Sequence, residues 1–549
     1  MTTLGYSAPT DARLAASLLL LRDGEAGIEV LMLRRAERDN DIRSGAAVFP
    51  GGVLDARDRE AHAHCVGADD AGMSRLLGLA EGGLDYAVAA LRECFEEVGL
   101  LLADRALDVA PLAAWRHRLH AGEIGAADLC RALGFSFDLR GLHYWSHWLT
   151  PPGTNKRFDT RFFVARAPEG QEAVPDLGET VELMWLTPAA ALEPARGLKL
   201  LPVTRRTLQE LTRFASVEDV LAHARTPRQI TRTMPRHART AAGPRVVLPD
   251  ELPYAEVARL DPEGRGDAFC DIVPGRAVQL SARVRRVTAP NAGVMTGPGT
   301  NSYIVGDARG CCVIDPGPAD AAHLQALRAA LPGPLERILV THTHVDHSPG
   351  ARALAEATGA PVLGRVADFP NGQDATFRPT QALAGGERLP LPDGAALRAI
   401  HTPGHASNHL CYLLEAEKTL FTGDHVMQGS TVVINPPDGD MAAYLRALEA
   451  LLAEDIEWFA PGHGWLVAEP KAVLRGLMRH RLAREAKVRA ALQSVGEGDV
   501  EALLPKVYDD VPLGLHPVAA RSLLAHLIKL RGDGEAVENG KVWRYAGGG

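Results

Sequence analysis

The run THTHVDH, residues 341–347, places His342, His344, Asp346 and His347 on one short segment directly behind the apolar run 337–341. A lone loop histidine is usually a hydrogen-bonded surface residue. Four donors at positions 1, 3, 5 and 6 of a loop that follows a buried strand can instead converge on one or two cations, and imidazole with carboxylate is a donor set that suits zinc. Such a loop constrains the fold, because rigid strands must hold it and further donors must arrive at the ends of later strands. Three do so in this sequence. The run 397–401 leads into TPGH and ends at His405, 419–423 leads into Asp424, and 456–460 leads into PGHG, which contains His463. Each is a strand-like stretch that delivers one donor after a Gly or Pro turn.

THTHVDH, HTPGH, TGDH and PGHG, in that order, resemble the motifs of the metallo-β-lactamase superfamily, over about residues 280–468. The resemblance implies a four-layer αββα sandwich with two Zn2+, or Fe or Mn. His342, His344 and His405 would hold the first metal, Asp346, His347 and His463 the second, and Asp424 would bridge them. Metals in such pairs sit about 3.5–4 Å apart and lower the pKa of a shared water, so a bridging hydroxide becomes the nucleophile. Asp346 is on that account a catalytic residue as well as a ligand. His401, His409 and His425 have no place in the pattern and are expected in structural or substrate-contact roles. Asp315 is expected to orient a ligand, and Cys311 and Cys312 to act as small core residues.

After Ala468 the composition becomes helical, over 471–492, 500–507 and 516–529, and then ends in GKVWRY. The sequence predicts a winged-helix-like unit there. A metallo-β-lactamase fold followed by such a tail resembles the β-lactamase-like protein 2 group, which includes a mitochondrial endoribonuclease. Arg475, Arg479, Arg481, Arg484, Lys487 and Arg489 stand against a single Glu485 on 471–492. Such a face could track phosphates, or be a solvated helix or a homodimer contact.

A second constellation lies in FPGGVLD, residues 49–55, and ALRECFEEVGLLL, residues 90–102. In a helix Glu93, Glu96 and Glu97 stand at i, i+3 and i+4 and share a face. A hard divalent cation would offset their repulsion, and oxygen ligands suit Mg2+. The pattern R-E-x-x-E-E-x-G behind PGG resembles the Nudix box. By that resemblance Glu96 and Glu97 bind Mg2+ or Mn2+, Glu93 orients or deprotonates water, Arg92 is structural, and Gly52 offers its carbonyl. The gap between glycine and box is enlarged by about residues 56–83, and no glutamate aligns at the first acidic position, for which Asp85 and Asp58 are the candidates. The insert, FPGGVLD and KRFDTRFF at 156–163 are similar to the peroxisomal coenzyme A diphosphatase subgroup. Arg35, Ala36 and Gly45 fit that subgroup's further signature loosely, with Asn40 or Asp41 where arginine is expected.

At 549 residues the chain should hold about three to five packed units. The expected fold class is α/β multidomain: a Nudix α/β/α sandwich over 1–262, a linker over 263–279, the metallo-β-lactamase sandwich over 280–468, and a winged-helix-like domain over 469–549. Strands are predicted at 14–22, 28–34, 161–165 and 183–186, helices at 86–101 and 200–224, and irregular chain from 225 to about 275. No signal peptide or membrane helix is expected. Seven cysteines without a CxxC pair suit a reducing, cytoplasmic setting. The net charge of −9 gives no overall pull toward nucleic acid. The leading expectation is a hydrolase with two centres, one cleaving an ester, thioester or phosphodiester and one cleaving a diphosphate-linked substrate such as a coenzyme A or acyl-coenzyme A derivative. The alternatives are an endoribonuclease acting on single-stranded RNA, and a metallo-hydrolase whose Nudix unit only senses a ligand. The sequence names no substrate-binding residues.

Overall fold

Leucines and alanines from 15 to 21 are buried on both faces of the strand Ala12–Gly24, the pattern of a central strand covered from both sides. In the computed structural model, which describes residues 11–37, 44–107, 112–176 and 180–547, this strand lies between Gly27–Arg35, antiparallel, and Arg157–Arg166, parallel. A parallel pair needs a long crossover, and that crossover carries the helix Gly83–Val98. The helix buries its apolar face against the sheet and stops at Gly99, which takes φ +75 as helix C-termini favour. The insert 56–83 is ordered: a 3-10 helix, Ala56–His64, and a helix, Asp70–Leu77, pack Ala61, Met73 and Leu77 into the same core. The helix expected over 200–224 is instead two, Pro202–Leu211 and Val217–Arg225, because Ser216 and Asp219 form a capping box that starts the second. Asn40 and Asp41 lie outside the described residues.

The chain divides into two compact units, Met1–His237 with Glu263–Arg265, and Ala238–Pro262 with Gly266–Gly549. Residues 238–262, expected in the first domain, pack in the second unit. Arg236–Thr240 and Gly243–Val247 form a two-stranded sheet, and Val247 and Val257 join a small core with Ala268 and Cys270. The stretch from 225 to 275, read as irregular, also holds the helix Tyr254–Leu260.

The second unit stacks a seven-stranded sheet, Ala277–Gln279 to Gln381–Ala382, on a six-stranded one, Arg388–Pro390 to Val467–Ala468. Tyr303, Val305, Ile314 and Leu339 from one sheet and Leu397, Tyr412, Leu414 and Phe421 from the other form a shared core. Helices Ala321–Ala330 and Gly350–Thr358 pack in the core cluster of the first sheet, and Met441–Leu451 and Pro470–Val495 in that of the second, which completes αββα. Val500–Val507, His516–Gly532 and a three-stranded sheet closing on Val542–Tyr545 surround the buried Trp543. All seven cysteines are free, and Cys311 and Cys312 are fully buried.

Candidate active sites

Each donor loop of the second unit follows a strand, Leu335–Leu339, Ala396–His401, Thr419–Gly423 or Trp458–Pro461. The four loops meet. Ligand atoms lie within 4.8 Å of one another in three groups: His342, His344 and His405; His342, His347 and Asp424; and Asp346, His347 and His463. Asp424 stands between them, with Oδ1 3.3 Å from His347 Nε2 and 3.2 Å from His463 Nε2, and Oδ2 3.6 Å from His405 Nε2.

The second nitrogen of four of these rings has a partner. His405 Nδ1 lies 2.7 Å from Val433 O, His463 Nδ1 3.2 Å from Gly299 O and His347 Nδ1 2.9 Å from Asp315 Oδ2. Thr341 donates its hydroxyl to Asp315 at 2.7 Å and so accepts from His342 Nδ1 at 3.0 Å. These bonds fix the tautomers and aim Nε2 inward. His342 Nε2, His347 Nε2, His463 Nε2 and Asp424 Oδ1 are buried there without a hydrogen-bond partner, which is costly unless a further group is received. A Cβ on Gly462 would come within 2.8 Å of Asp424 Oδ1 and of His347 Cε1, so only glycine leaves this cradle open. Donor chemistry, unpartnered atoms and cradle together fit a divalent pair.

Electrostatics agree. Burial disfavours the charged forms throughout. It holds His342 well below the ordinary histidine range and His344 near 3. Burial also opposes charge on His347, yet Asp346, Asp424 and Asp315 outweigh it and hold a proton there. The carboxylates thus draw onto a ring the positive charge that a metal would supply.

Asp315, which fixes the His347 ring at Nδ1, takes φ +49, a region Asp adopts infrequently. His409, fully buried, accepts the backbone N–H of Asp424 at 3.2 Å and donates to Thr402 Oγ1 at 2.9 Å. It therefore positions the Asp424 loop. Thr341 and His409 have no sequence signal beyond proximity to the motifs. His401 bonds Ser407 O at 3.0 Å, and His425 is buried against Tyr444.

In the first unit Glu93, Glu96 and Glu97 share one helix face, as expected, around an internal cation. Arg92 reaches Glu93 at 2.8 Å, Glu96 at 3.1 Å and Val53 O at 2.9 Å, and grips Asp58 through two bonds of 2.7 and 3.2 Å. Of the two candidates for the first acidic position, buried Asp58 is thus the one joined to the glutamate face through Arg92, whereas Asp85 pairs with His62 and Arg59. Glu97 accepts Gly51 N–H at 2.8 Å. A Cβ on Gly52 would lie 2.3 Å from the Glu93 carboxyl carbon. Burial pushes Glu93 up to about 7, with Arg92 opposing and Glu96 adding.

The basic face read on 471–492 is not an open surface. Arg481 is buried and donates to Val432 O, and buried Arg484 pairs with Asp510 and Val507 O. Lys487 pairs with Asp509 and Arg489 with Glu535. Arg475 and Arg479 are exposed. Arg484, Lys487 and Arg489 tie this helix to the winged unit.

Among the described residues no helix is long and apolar enough to cross a membrane. Residues 295–463 match the family model of the metallo-beta-lactamase superfamily, 79–203 that of the NUDT19 Nudix domain, and 500–543 that of the beta-lactamase associated winged helix domain. An atrochrysone carboxyl ACP thioesterase of Aspergillus chevalieri is 31% identical over 46% of this chain and 83% of its own. The beta-lactamase-like protein 2 homolog of Drosophila melanogaster is 29% identical over 47% and 90%. Among solved structures, a NUDIX hydrolase from Alicyclobacillus acidocaldarius is 30% identical, covering 39% of this chain and 97% of its own, with a TM-score of 0.33. With its ligand loops converged and its motifs matched, the chain belongs to the metallo-beta-lactamase superfamily, and it is a metal-dependent hydrolase that also carries a Nudix domain and a winged helix domain.

Proposed function

We propose that this hydrolase acts on acyl-coenzyme A, cleaving the thioester at the histidine-rich centre and the diphosphate at the Nudix centre. The observation that carries the reading is the buried, unpartnered set His342 Nε2, His347 Nε2, His463 Nε2 and Asp424 Oδ1, aimed into one cradle. His342, His344 and His405 would hold one Zn2+ and Asp346, His347 and His463 the other, with the Asp424 carboxylate placed to serve both; iron and manganese suit the same donors. Bound there, the pair supplies an activated water at neutral pH and a Lewis acid for the carbonyl oxygen. The chain's own residues fix geometry: Asp315 and Thr341 orient His347 and His342, and His409 holds the Asp424 loop. Water adds to the acyl carbon, and the carbon–sulfur bond breaks to give acid and free thiol.

At the other centre Glu96 and Glu97 would hold Mg2+ or Mn2+ with the Gly52 carbonyl. Glu93, whose carboxyl burial pushes up to about 7, takes a proton from water adding to one phosphorus as the bridging P–O bond to the other breaks, releasing phosphopantetheine and the nucleotide half. The thioester part of the reading is supported by the relative named as an ACP thioesterase, and the diphosphate part by the Nudix match. A cytoplasmic setting suits the seven free thiols. The test is incubation of the full-length protein with acyl-coenzyme A, following free thiol and phosphopantetheine by mass spectrometry. Thiol release should vanish in His342→Ala/His344→Ala and phosphopantetheine release in Glu97→Gln, while wild type yielding neither product would sink the proposal. For the RNA alternative Arg475 and Arg479 remain exposed, while Arg481, Arg484, Lys487 and Arg489 are engaged within the protein.

A further inference from the structure

The turn that carries His463, residues 461–466, is held from two sides. From the sheet, Asn301 N–H reaches Gly462 O at 2.7 Å, its Nδ2 reaches Pro461 O at 3.0 Å and Gly464 O at 2.8 Å, and Tyr303 OH reaches Pro461 O at 2.7 Å. From the other side comes the segment 238–262, which the sequence places with the Nudix domain. Glu256, on the helix Tyr254–Leu260 and 1% exposed, accepts Leu466 N–H at 2.9 Å and both guanidinium nitrogens of Arg286 at 2.6 and 2.9 Å. Arg286, 2% exposed, passes a further bond of 3.3 Å to Gly464 O. Two further bonds tie the same segment and turn: Gln428 accepts Trp465 N–H at 2.9 Å and donates to Leu252 O at 2.8 Å.

A buried ion pair is a poor device for stability alone, since an apolar pair of similar volume often serves as well. Here both charged groups end on backbone atoms flanking one histidine. Its ring is tied only at Nδ1, and its Nε2 stands 3.2 Å from Asp424 and 3.5 Å from Asp346. We propose that Glu256 is a positioning residue which, through Arg286 and Leu466 N–H, sets His463 against Asp346 and Asp424, so that the segment following the Nudix domain is a working part of the second metal half-site. The inference rests on the reading of His463 as a ligand of the second metal.

The test measures zinc per full-length chain by mass spectrometry across a chelator-buffered zinc series, with absorption spectra of the Co2+-loaded protein as a second readout. Wild type binding two equivalents and His463→Ala one establishes the underlying reading; any other pattern defeats that reading and the proposal with it. Given that pattern, Glu256→Gln should keep the first equivalent and weaken the second, and Glu256→Leu/Arg286→Met should weaken the second about 10–100-fold with an altered Co2+ spectrum. The Leu/Met pair removes both charges at similar volume and is expected to fold, and the Gln variant preserves the test if it does not. Two equivalents at wild-type affinity in both variants would overturn the proposal, as would parallel loss of both equivalents, since the clamp would then support the fold and not one ligand.

Discussion

The two centres handle crowded charge in opposite ways. In the Nudix domain Arg92 sits among Asp58, Glu93 and Glu96 and neutralises them from within. In the metallo-β-lactamase domain Asp346, Asp424 and Asp315 have imidazoles as their ion-pair partners, and they favour the charged form of His347. Among the described residues the metal-sized groupings all lie in the second cluster. A site built from one helix can carry its own counter-cation because successive turns bring Arg92 and Glu96 together. A site assembled from four strand ends has no such neighbour, so it leaves donor atoms unpartnered until a cation arrives.

The contrast can be broken experimentally. Removing donors from the uncompensated centre should have the largest effect: His342→Ala/His344→Ala should lose most bound metal and about 10³-fold or more in thiol release, measured by metal analysis and thiol assay, with phosphopantetheine release unchanged. Removing the internal cation should cost stability first. Arg92→Ala leaves Asp58 buried and unpaired, which should cost about 3–5 kcal/mol in the denaturant unfolding of the Nudix transition. Glu97→Gln should leave the fold intact and lower phosphopantetheine release about 10²-fold or more, while thiol release keeps its wild-type rate.

The pH dependence sharpens the comparison further. Glu93 must be ionised to accept a proton and titrates near 7, so the Nudix rate should fall about tenfold per pH unit below that value and rise to a plateau above it. A pH–rate profile for phosphopantetheine release without that acid limb would remove Glu93 from the role. The smallest effect is expected at the exposed arginines. Arg475→Ala/Arg479→Ala should leave the salt dependence of single-stranded RNA retention unchanged, because Arg481, Arg484, Lys487 and Arg489 of that helix are engaged by partners within the protein.

Several elements were legible at once. Residues 15–21 read as a strand because burial on both faces demands a continuous apolar run, and 500–507 read as a helix with the limits it adopts. The ligand loops were legible because metal donors are scarce residue types and their motifs are short. The basic helix was misleading for a physical reason. Periodicity reports which residues share a face, but not what packs against it, and Asp509, Asp510 and Glu535 arrive from elements beyond that helix. The capping box at Ser216 lay within a helical pattern and was overlooked.

Residue identity and local spacing were enough to reveal the metallo-β-lactamase and Nudix motifs and the hydrolase class, since these depend on side-chain chemistry within a few turns of chain. Sequence left Asp58 and Asp85 as equal candidates, and only the 34-residue approach of Arg92 to Asp58 separates them. Nor could it show that His409 holds the Asp424 loop or that Glu256 belongs with His463. The bonds behind them, Asp424 N–H to His409 and Leu466 N–H to Glu256, are set by how sheets, helices and loops pack, and no local pattern encodes which distant backbone atom a buried side chain will meet.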